Sequence, residues 1–245
     1  MRKTKIGLIG FGRFGKLAAK YLSENFDIYV FDKKIKSPGK KSAEKIIFAP
    51  LKSVCKCSVV IVCVPISELE KLLHQIKNLV KKDSLIVDAC SVKEYPSKLM
   101  EKILPGEVQI LATHPLFGPD TALNSLKGRK IVLCRIKVSN KLYAGITKFL
   151  ENKGLTVVES TPKEHDREIA KTLVLTHFIG RTMLESGAKD SGIGTNGYTM
   201  LMEVIDTVKN DTWQLFDDMN KYNRYSKNAR DKFIRSANKI NNRLK

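Results

Sequence analysis

Two short stretches, Asp88-Ala89-Cys90-Ser91-Val92-Lys93 and Thr113-His114-Pro115-Leu116-Phe117-Gly118-Pro119, each follow an apolar run and carry groups able to bond or move a proton. His114 lies between a strand end and a proline, so its backbone is fixed on both sides. An imidazole that titrates near neutrality suits proton transfer from such a position. Taken alone, His114 is equally a loop or core histidine, and Ser91 is by residue type a helix N-cap.

A third stretch could hold an anion. The apolar run Lys5-Ile6-Gly7-Leu8-Ile9 enters Gly10-Phe11-Gly12-Arg13-Phe14-Gly15, and a helix and a second strand, Ile28-Tyr29-Val30-Phe31, follow before Asp32. Gly10 permits the tight turn, Gly12 lets the backbone approach a pyrophosphate, and Gly15 lets the helix pack closely on the strand. Asp32 falls about twenty residues beyond the glycines, where a carboxylate accepts hydrogen bonds from the adenosine ribose hydroxyls. The spacing therefore predicts NAD, since a 2′-phosphate would meet a like charge. Phe11, Arg13 and Phe14 of the loop, and Pro65 after the apolar run Val59 to Val64, complete the expected cofactor contacts. Lys33 and Lys34 could hold a 2′-phosphate if Asp32 turned away; we read them as solvated charges.

These residues need a sheet to position them, and the pattern supplies one. Short or buried strands are expected near Ile46-Ile47-Phe48, Val59 to Val64, Leu85-Ile86-Val87, Gln109 to Ala112, Ile131-Val132-Leu133 and Leu155 to Val158. Between them lie helices such as the one opened by Ser67-Glu68, with Leu69, Leu72, Leu73, Ile76 and Leu79 on one stripe. A polar loop, Lys33 to Lys41, contains Pro38-Gly39. The expected fold is α/β, a Rossmann-type, doubly wound, mostly parallel sheet followed by a smaller all-helical domain. In such a sheet the ligand sits beyond the carboxyl ends of the strands, where Pro65, Ser91 and His114 all fall. The capping pattern Thr161-Pro162-Lys163-Glu164 marks the change. This divides the chain into a dinucleotide-binding domain, 1–162, and a helical domain for substrate binding and dimerisation, 163–245. The helical part is expected to break at 191–197 and near Asn210-Asp211. Its apolar stripes, including Ile169, Leu173, Leu201 and Val204, exceed what so small a domain can cover, which predicts a homodimer with each cleft between sheet domain and bundle.

Composition narrows the class. The formal charge of +19 is spread along the 245 residues, without aromatic-interleaved basic blocks, so neither nucleic acid nor a membrane surface is expected as partner. A positive field instead favours a small anionic substrate. The basic stretch from Lys221 to Lys245 reads as the solvated face of a last helix. No apolar run approaches the roughly 18 residues of a membrane span, and the opening strand leaves no room for a targeting peptide, so a cytoplasmic protein is expected. Cys55, Cys57, Cys63, Cys90 and Cys134 lack paired CxxC spacing and read as reduced thiols, with no metal site.

From Lys5 to Asn223 the sequence resembles the prephenate and arogenate dehydrogenases of tyrosine biosynthesis, most specifically in the two stretches around Ser91 and His114 and in Glu164-His165-Asp166 with His177. Thr195-Asn196-Gly197-Tyr198 is similar to the compact arogenate branch. The resemblance implies NAD-dependent oxidative decarboxylation of prephenate to 4-hydroxyphenylpyruvate, with arogenate as the alternative substrate. It makes His114 the acceptor of the ring hydroxyl's proton, Ser91 a hydrogen-bond partner of that hydroxyl, and His177 a ligand of the substrate side chain. Arg181, four residues after His177 and so on the same helix face, is our candidate for a carboxylate fork. His165-Asp166 reads as structural and His74 as a surface residue. The chain departs from the family near Gly197-Tyr198-Thr199, where many members carry an arginine that grips the ring carboxylate; Lys209 and Arg181 are the nearest substitutes. The arogenate branch tends toward NADP, whereas Asp32 argues for NAD. Two other readings remain. A β-hydroxyacid-type dehydrogenase would need a catalytic lysine, for which Lys171 is the candidate, and a non-catalytic NAD-sensing module would not need His114 beside Ser91.

Overall fold

A computed structural model describes residues 4–35, 41–43 and 45–245. The chain falls into two compact units, Met1–Pro162 and Lys163–Lys245. The Pro38-Gly39 pair lies outside the described residues.

The first unit opens with β1 (Lys5–Ile9), α1 (Arg13–Ser23) and β2 (Asp27–Phe31). It continues through β3 (Lys41–Ala43), β4 (Ile46–Phe48), α2 (Leu51–Val54), β5 (Val59–Val62), α3 (Ile66–Ile76), β6 (Leu85–Asp88) and α4 (Glu94–Ile103). Then come β7 (Gln109–Pro115), α5 (Pro119–Ala122), β8 (Lys130–Lys137), α6 (Asn140–Asn152) and β9 (Thr156–Glu159). The strands form one nine-stranded sheet in the order β3-β4-β2-β1-β5-β6-β7-β8-β9. The pairings from β4 to β7 are parallel, as is β8 with β9, while β3 on β4 and β7 on β8 are antiparallel. The expected α/β, Rossmann-type sheet is the one found.

Consecutive residues of β1 and β7 are buried. In a strand that means cover on both faces, which is why these segments read as continuous apolar runs. Leu69, Leu72, Leu73 and Ile76 of α3 are all buried, while His74 on the opposite side is exposed. The sequence ends the strand before His114 at Ala112. In the structure β7 continues through His114 to Pro115, because antiparallel β8 pairs with it there, His114 opposite Val132.

The second unit is helical: α7 (Pro162–Lys171), α8 (Leu173–Glu185), α9 (Asn196–Val208), α10 (Trp213–Lys221) and α11 (Ser226–Asn242). The sequence reads as one long helix carrying both His165 and His177, and here the structure differs. Thr172, at φ −105 and ψ −85, leaves the helical region between α7 and α8. Its hydroxyl donates to the Glu168 carbonyl at 2.8 Å, a local bond of the kind that bends helices. Among the described residues, no helix is long and apolar enough to cross a membrane.

Candidate active site

The parallel register brings the strand ends level, with Ile9 opposite Phe31 and Val62, Val62 opposite Asp88, and Asp88 opposite Ala112. Gly10, Asp32, Ser91 and His114 follow those ends within three residues. Gly10 sits at φ +98, and a Cβ there would lie 2.3 Å from the Cys63 carbonyl oxygen. A Cβ on Gly15 would lie 2.1 Å from the Gly10 oxygen. Both glycines are therefore required by the turn itself. Gly12 is different, since its missing Cβ points at no atom of the described residues within 4 Å. It opens α1 with no side-chain cap and no acid in the first turn, so the helix end offers amide donors and an open cradle that fit a pyrophosphate.

Asp32 already holds this loop. Its Oδ2 accepts from the Phe11 amide at 2.7 Å and its Oδ1 from the Lys34 amide at 2.8 Å. Each carboxylate oxygen keeps a further lone pair, so these bonds leave capacity for ribose hydroxyls. The Phe11 ring packs edge-on against Phe48 at 5.2 Å. Lys33 is not merely solvated: its ammonium lies 2.9 Å from Glu68 of α3, and that bond holds the exposed Glu68 carboxyl below its usual range. Pro65 occupies the cap position of α3. Arg13 points to α5, where its Nη2 donates to both Asp120 oxygens at 2.7 and 2.6 Å, and the Phe14 ring lies 6.4 Å from Phe117. The loop's side chains thus tie α1 to the segment that follows His114.

Ser91 and His114 are both buried. The Ser91 hydroxyl has no hydrogen-bond partner among the described residues, a costly state for a buried group unless a ligand completes it. Beneath it lies a feature that the sequence did not single out. Lys93 and Asp88 are both completely buried and form an ion pair. The Asp88 carboxylate also accepts from the Cys90 amide at 3.0 Å and the Thr113 amide at 3.3 Å, and the Lys93 ammonium donates to the Thr113 carbonyl at 2.5 Å. Only an aspartate and a lysine inside an otherwise apolar stretch could have signalled it. Burial, with the Asp88 charge beside it, pushes the Cys90 thiol far up and Cys63 up to about 12, so neither supplies a thiolate.

In the second unit, His177 and Arg181 are buried neighbours on α8. Burial, with the Arg181 charge close by, lowers His177 to about 4, and its Nδ1 has no partner among the described residues. Its Nε2 stands 3.7 Å from Asp211 Oδ2, beyond a good hydrogen bond. Arg181, the candidate for a carboxylate fork, is engaged within its own unit. Its Nη2 donates to the Asp211 carbonyl at 2.7 Å and the guanidinium lies on the Trp213 face at 4.1 Å, while its buried Nε has no hydrogen-bond partner among the described residues. Lys209 and Lys171 are exposed and paired with Asp206 and Glu168. His165 bonds Asp166 at 2.7 Å within α7, both side chains buried, and Asn223 donates to the Asp166 carbonyl.

Known proteins resemble this chain in sequence and fold. A family model for prephenate dehydrogenase, nucleotide-binding domain, matches residues 18–159, and one described as TYRAAT1-like, C-terminal domain, matches residues 182–245. Arogenate dehydrogenase 2, chloroplastic, of Arabidopsis thaliana is 31% identical over 228 residues, covering 89% of this chain and 64% of that protein. A probable arogenate/prephenate dehydrogenase of Methanocaldococcus jannaschii is 28% identical over 248 residues, covering 94% and 54%. The chain thus spans just over half to just under two thirds of the length of these relatives. The crystal structure of prephenate dehydrogenase from A. aeolicus in complex with hydroxyphenyl propionate and NAD+ superposes with a TM-score of 0.77 at 18% identity, over 100% of this chain and 91% of that one.

Two outcomes follow from this geometry. Gly12→Ala adds a methyl to open space, so the thermal midpoint should barely change while NADH binding weakens by about tenfold or more; Gly15→Ala must displace backbone and should cost roughly 1–3 kcal/mol of stability. Unaltered NADH titration of Gly12→Ala would remove this loop from dinucleotide binding. For His177 the folded state holds the neutral form, so only the unfolded chain takes up the proton between about pH 6.5 and 4. Stability from its burial is full above that window and falls as the pH drops through it, by about 3 kcal/mol in all. Urea midpoints across this range should fall less steeply for His177→Gln than for the unmodified protein.

Proposed function

The chain belongs to the prephenate/arogenate dehydrogenase family, and from that premise we propose that it catalyses NAD-dependent oxidative decarboxylation of prephenate to 4-hydroxyphenylpyruvate. The observation that carries this reading is the buried, unpartnered Ser91 hydroxyl, set in the same bonded frame as His114 at the strand edge that bears the Gly12 cradle. A bound nicotinamide supplies the hydride acceptor. His114 takes the proton of the ring hydroxyl as that carbon becomes carbonyl-like, and Ser91 completes its own hydrogen bonding by orienting the same hydroxyl. The ring carboxylate then leaves as carbon dioxide, and aromatisation supplies the driving force. His177, neutral at pH 7, meets the substrate side chain as a hydrogen-bond partner, and Arg181, one turn on along α8 with an unpartnered Nε, is the candidate to hold a substrate carboxylate. Arogenate differs only in the side-chain amino group and is the second reading, favoured by its place in the relatives' names.

NAD is preferred over NADP in this reading on charge. A 2′-phosphate would face Asp32, and the nearby Lys33 is already balanced by Glu68. A β-hydroxyacid-type reaction loses support because Lys171 is exposed and paired with Glu168. For the assembly we propose a homodimer through the helical unit. Ile169 is buried within that unit and Leu173 and Val204 are half-buried, but Met200, Leu201, Ile234 and Ile240 remain exposed at 65%, 44%, 42% and 62%. Such a surface fits a second copy of the chain better than water.

The test is nicotinamide reduction with prephenate and with arogenate, each with NAD and NADP. Prephenate with NAD should turn over fastest. His114→Asn should lower kcat by about 10²–10⁴ with NAD affinity kept, and Asp32→Ser should cost roughly 10- to 150-fold in NAD binding and narrow the gap to NADP. Equal use of both cofactors by the unmodified protein would overturn the cofactor assignment, and full activity in His114→Asn the mechanism. Light scattering at micromolar concentration should give twice the chain mass; a monomer would refute the dimer.

A further inference from the structure

We propose that the buried Asp88–Lys93 ion pair is the positioning device of this active site, fixing Ser91 and His114 in one frame. The inference rests on the assignment of those two residues to the reacting hydroxyl.

Lysine is almost never fully buried. Desolvating an ion pair often costs as much as its attraction returns, so an apolar pair of similar volume would serve the core equally well. What an apolar pair could not do is hold backbone. Asp88 is the last residue of β6 and Lys93 caps α4, so their ion pair closes the six-residue loop that contains Ser91. Inside that loop the Cys90 amide donates to Asp88 Oδ2 at 3.0 Å. The same pair reaches across to the next strand. The β6–β7 ladder ends at Asp88 opposite Ala112, while β7 runs on to Pro115 along β8. On its β6 side, Thr113 has therefore outrun its neighbouring strand, and side chains continue the ladder in its place. The Thr113 amide donates to Asp88 Oδ1 at 3.3 Å, its hydroxyl donates to the Asp88 carbonyl at 2.6 Å, and its carbonyl accepts from the Lys93 ammonium at 2.5 Å. That carbonyl belongs to the peptide unit that joins Thr113 to His114. One ammonium thus sets the loop that presents the hydroxyl and the peptide plane that presents the imidazole. Lys93 and Asp88 are positioning residues, acting through Ser91 and His114, and an error of about 1 Å at such groups costs on the order of 10² in rate.

The experiment removes both charges together. Asp88→Leu with Lys93→Met leaves no unpaired ion in the core, and Thr113→Val deletes one strand of the frame without touching the pair. For the double variant we expect a folded protein with a lowered thermal midpoint, because the Cys90 amide and the Thr113 amide and carbonyl lose these partners, with NADH affinity close to that of the unmodified protein, kcat lower by about 100-fold, and KM changed by less than about threefold. Thr113→Val should lose roughly tenfold in kcat with KM likewise kept. The readout independent of turnover is the imidazole NMR signal of His114, assigned by its loss in His114→Asn. It should move in both variants, while that of exposed His74 stays in place. Unmoved His114 signals in both variants, or a folded double variant with full kcat, would overturn the proposal. If the unmodified protein oxidises neither prephenate nor arogenate, the functional reading fails, and the NMR comparison still decides whether the pair positions His114.

Discussion

Parallel strands paired in register end at one edge, and in the order β2-β1-β5-β6-β7 that edge carries Asp32, Gly10, Cys63, Ser91 and His114 or their immediate neighbours. Every chemical group of the first unit depends on this levelling. A helix crossover between parallel strands returns the chain to the starting end, so each strand delivers its next loop to the same side. The five segments are far apart in the chain and meet only because the ladders between them hold.

Within that edge the protein uses charge to hold backbone before any ligand arrives. Asp32 bonds the Phe11 amide across 21 residues of sequence, and Lys93 bonds the Thr113 carbonyl across 20. Both bonds fix peptide groups that lie beyond the end of a ladder, where regular sheet pairing can no longer do so. The two sites differ in burial. Asp32 is partly open to solvent, whereas the Lys93 pair is sealed from it.

The helical unit treats its charges differently. Arg181 spreads its guanidinium over Trp213 and bonds a backbone carbonyl, and its proximity together with burial keeps His177 neutral. A neutral imidazole with an open Nδ1 recognises by hydrogen bonding, which distinguishes partners by geometry rather than by charge alone. The positive charge of the chain as a whole still attracts anions over longer range.

How much of this was legible in the sequence follows from the range of each interaction. The glycine loop, the strand ends and the helical stripes are set by local φ requirements and by periodicity, so Gly10, Gly15, Asp32, α3 and the α/β sheet could be read directly. Ser91 and His114 could be named from residue type and from the stretches in which they stand. The length of β7 could not, because it depends on antiparallel pairing with β8, which lies beyond α5. The break at Thr172 depends on a hydroxyl choosing its own backbone over water, and the engagement of Arg181 depends on Trp213, more than thirty residues away. The Asp88–Lys93 pair stands in plain view within six residues, yet its meaning comes from complete burial, and burial is a property of everything packed around a residue rather than of the residue itself.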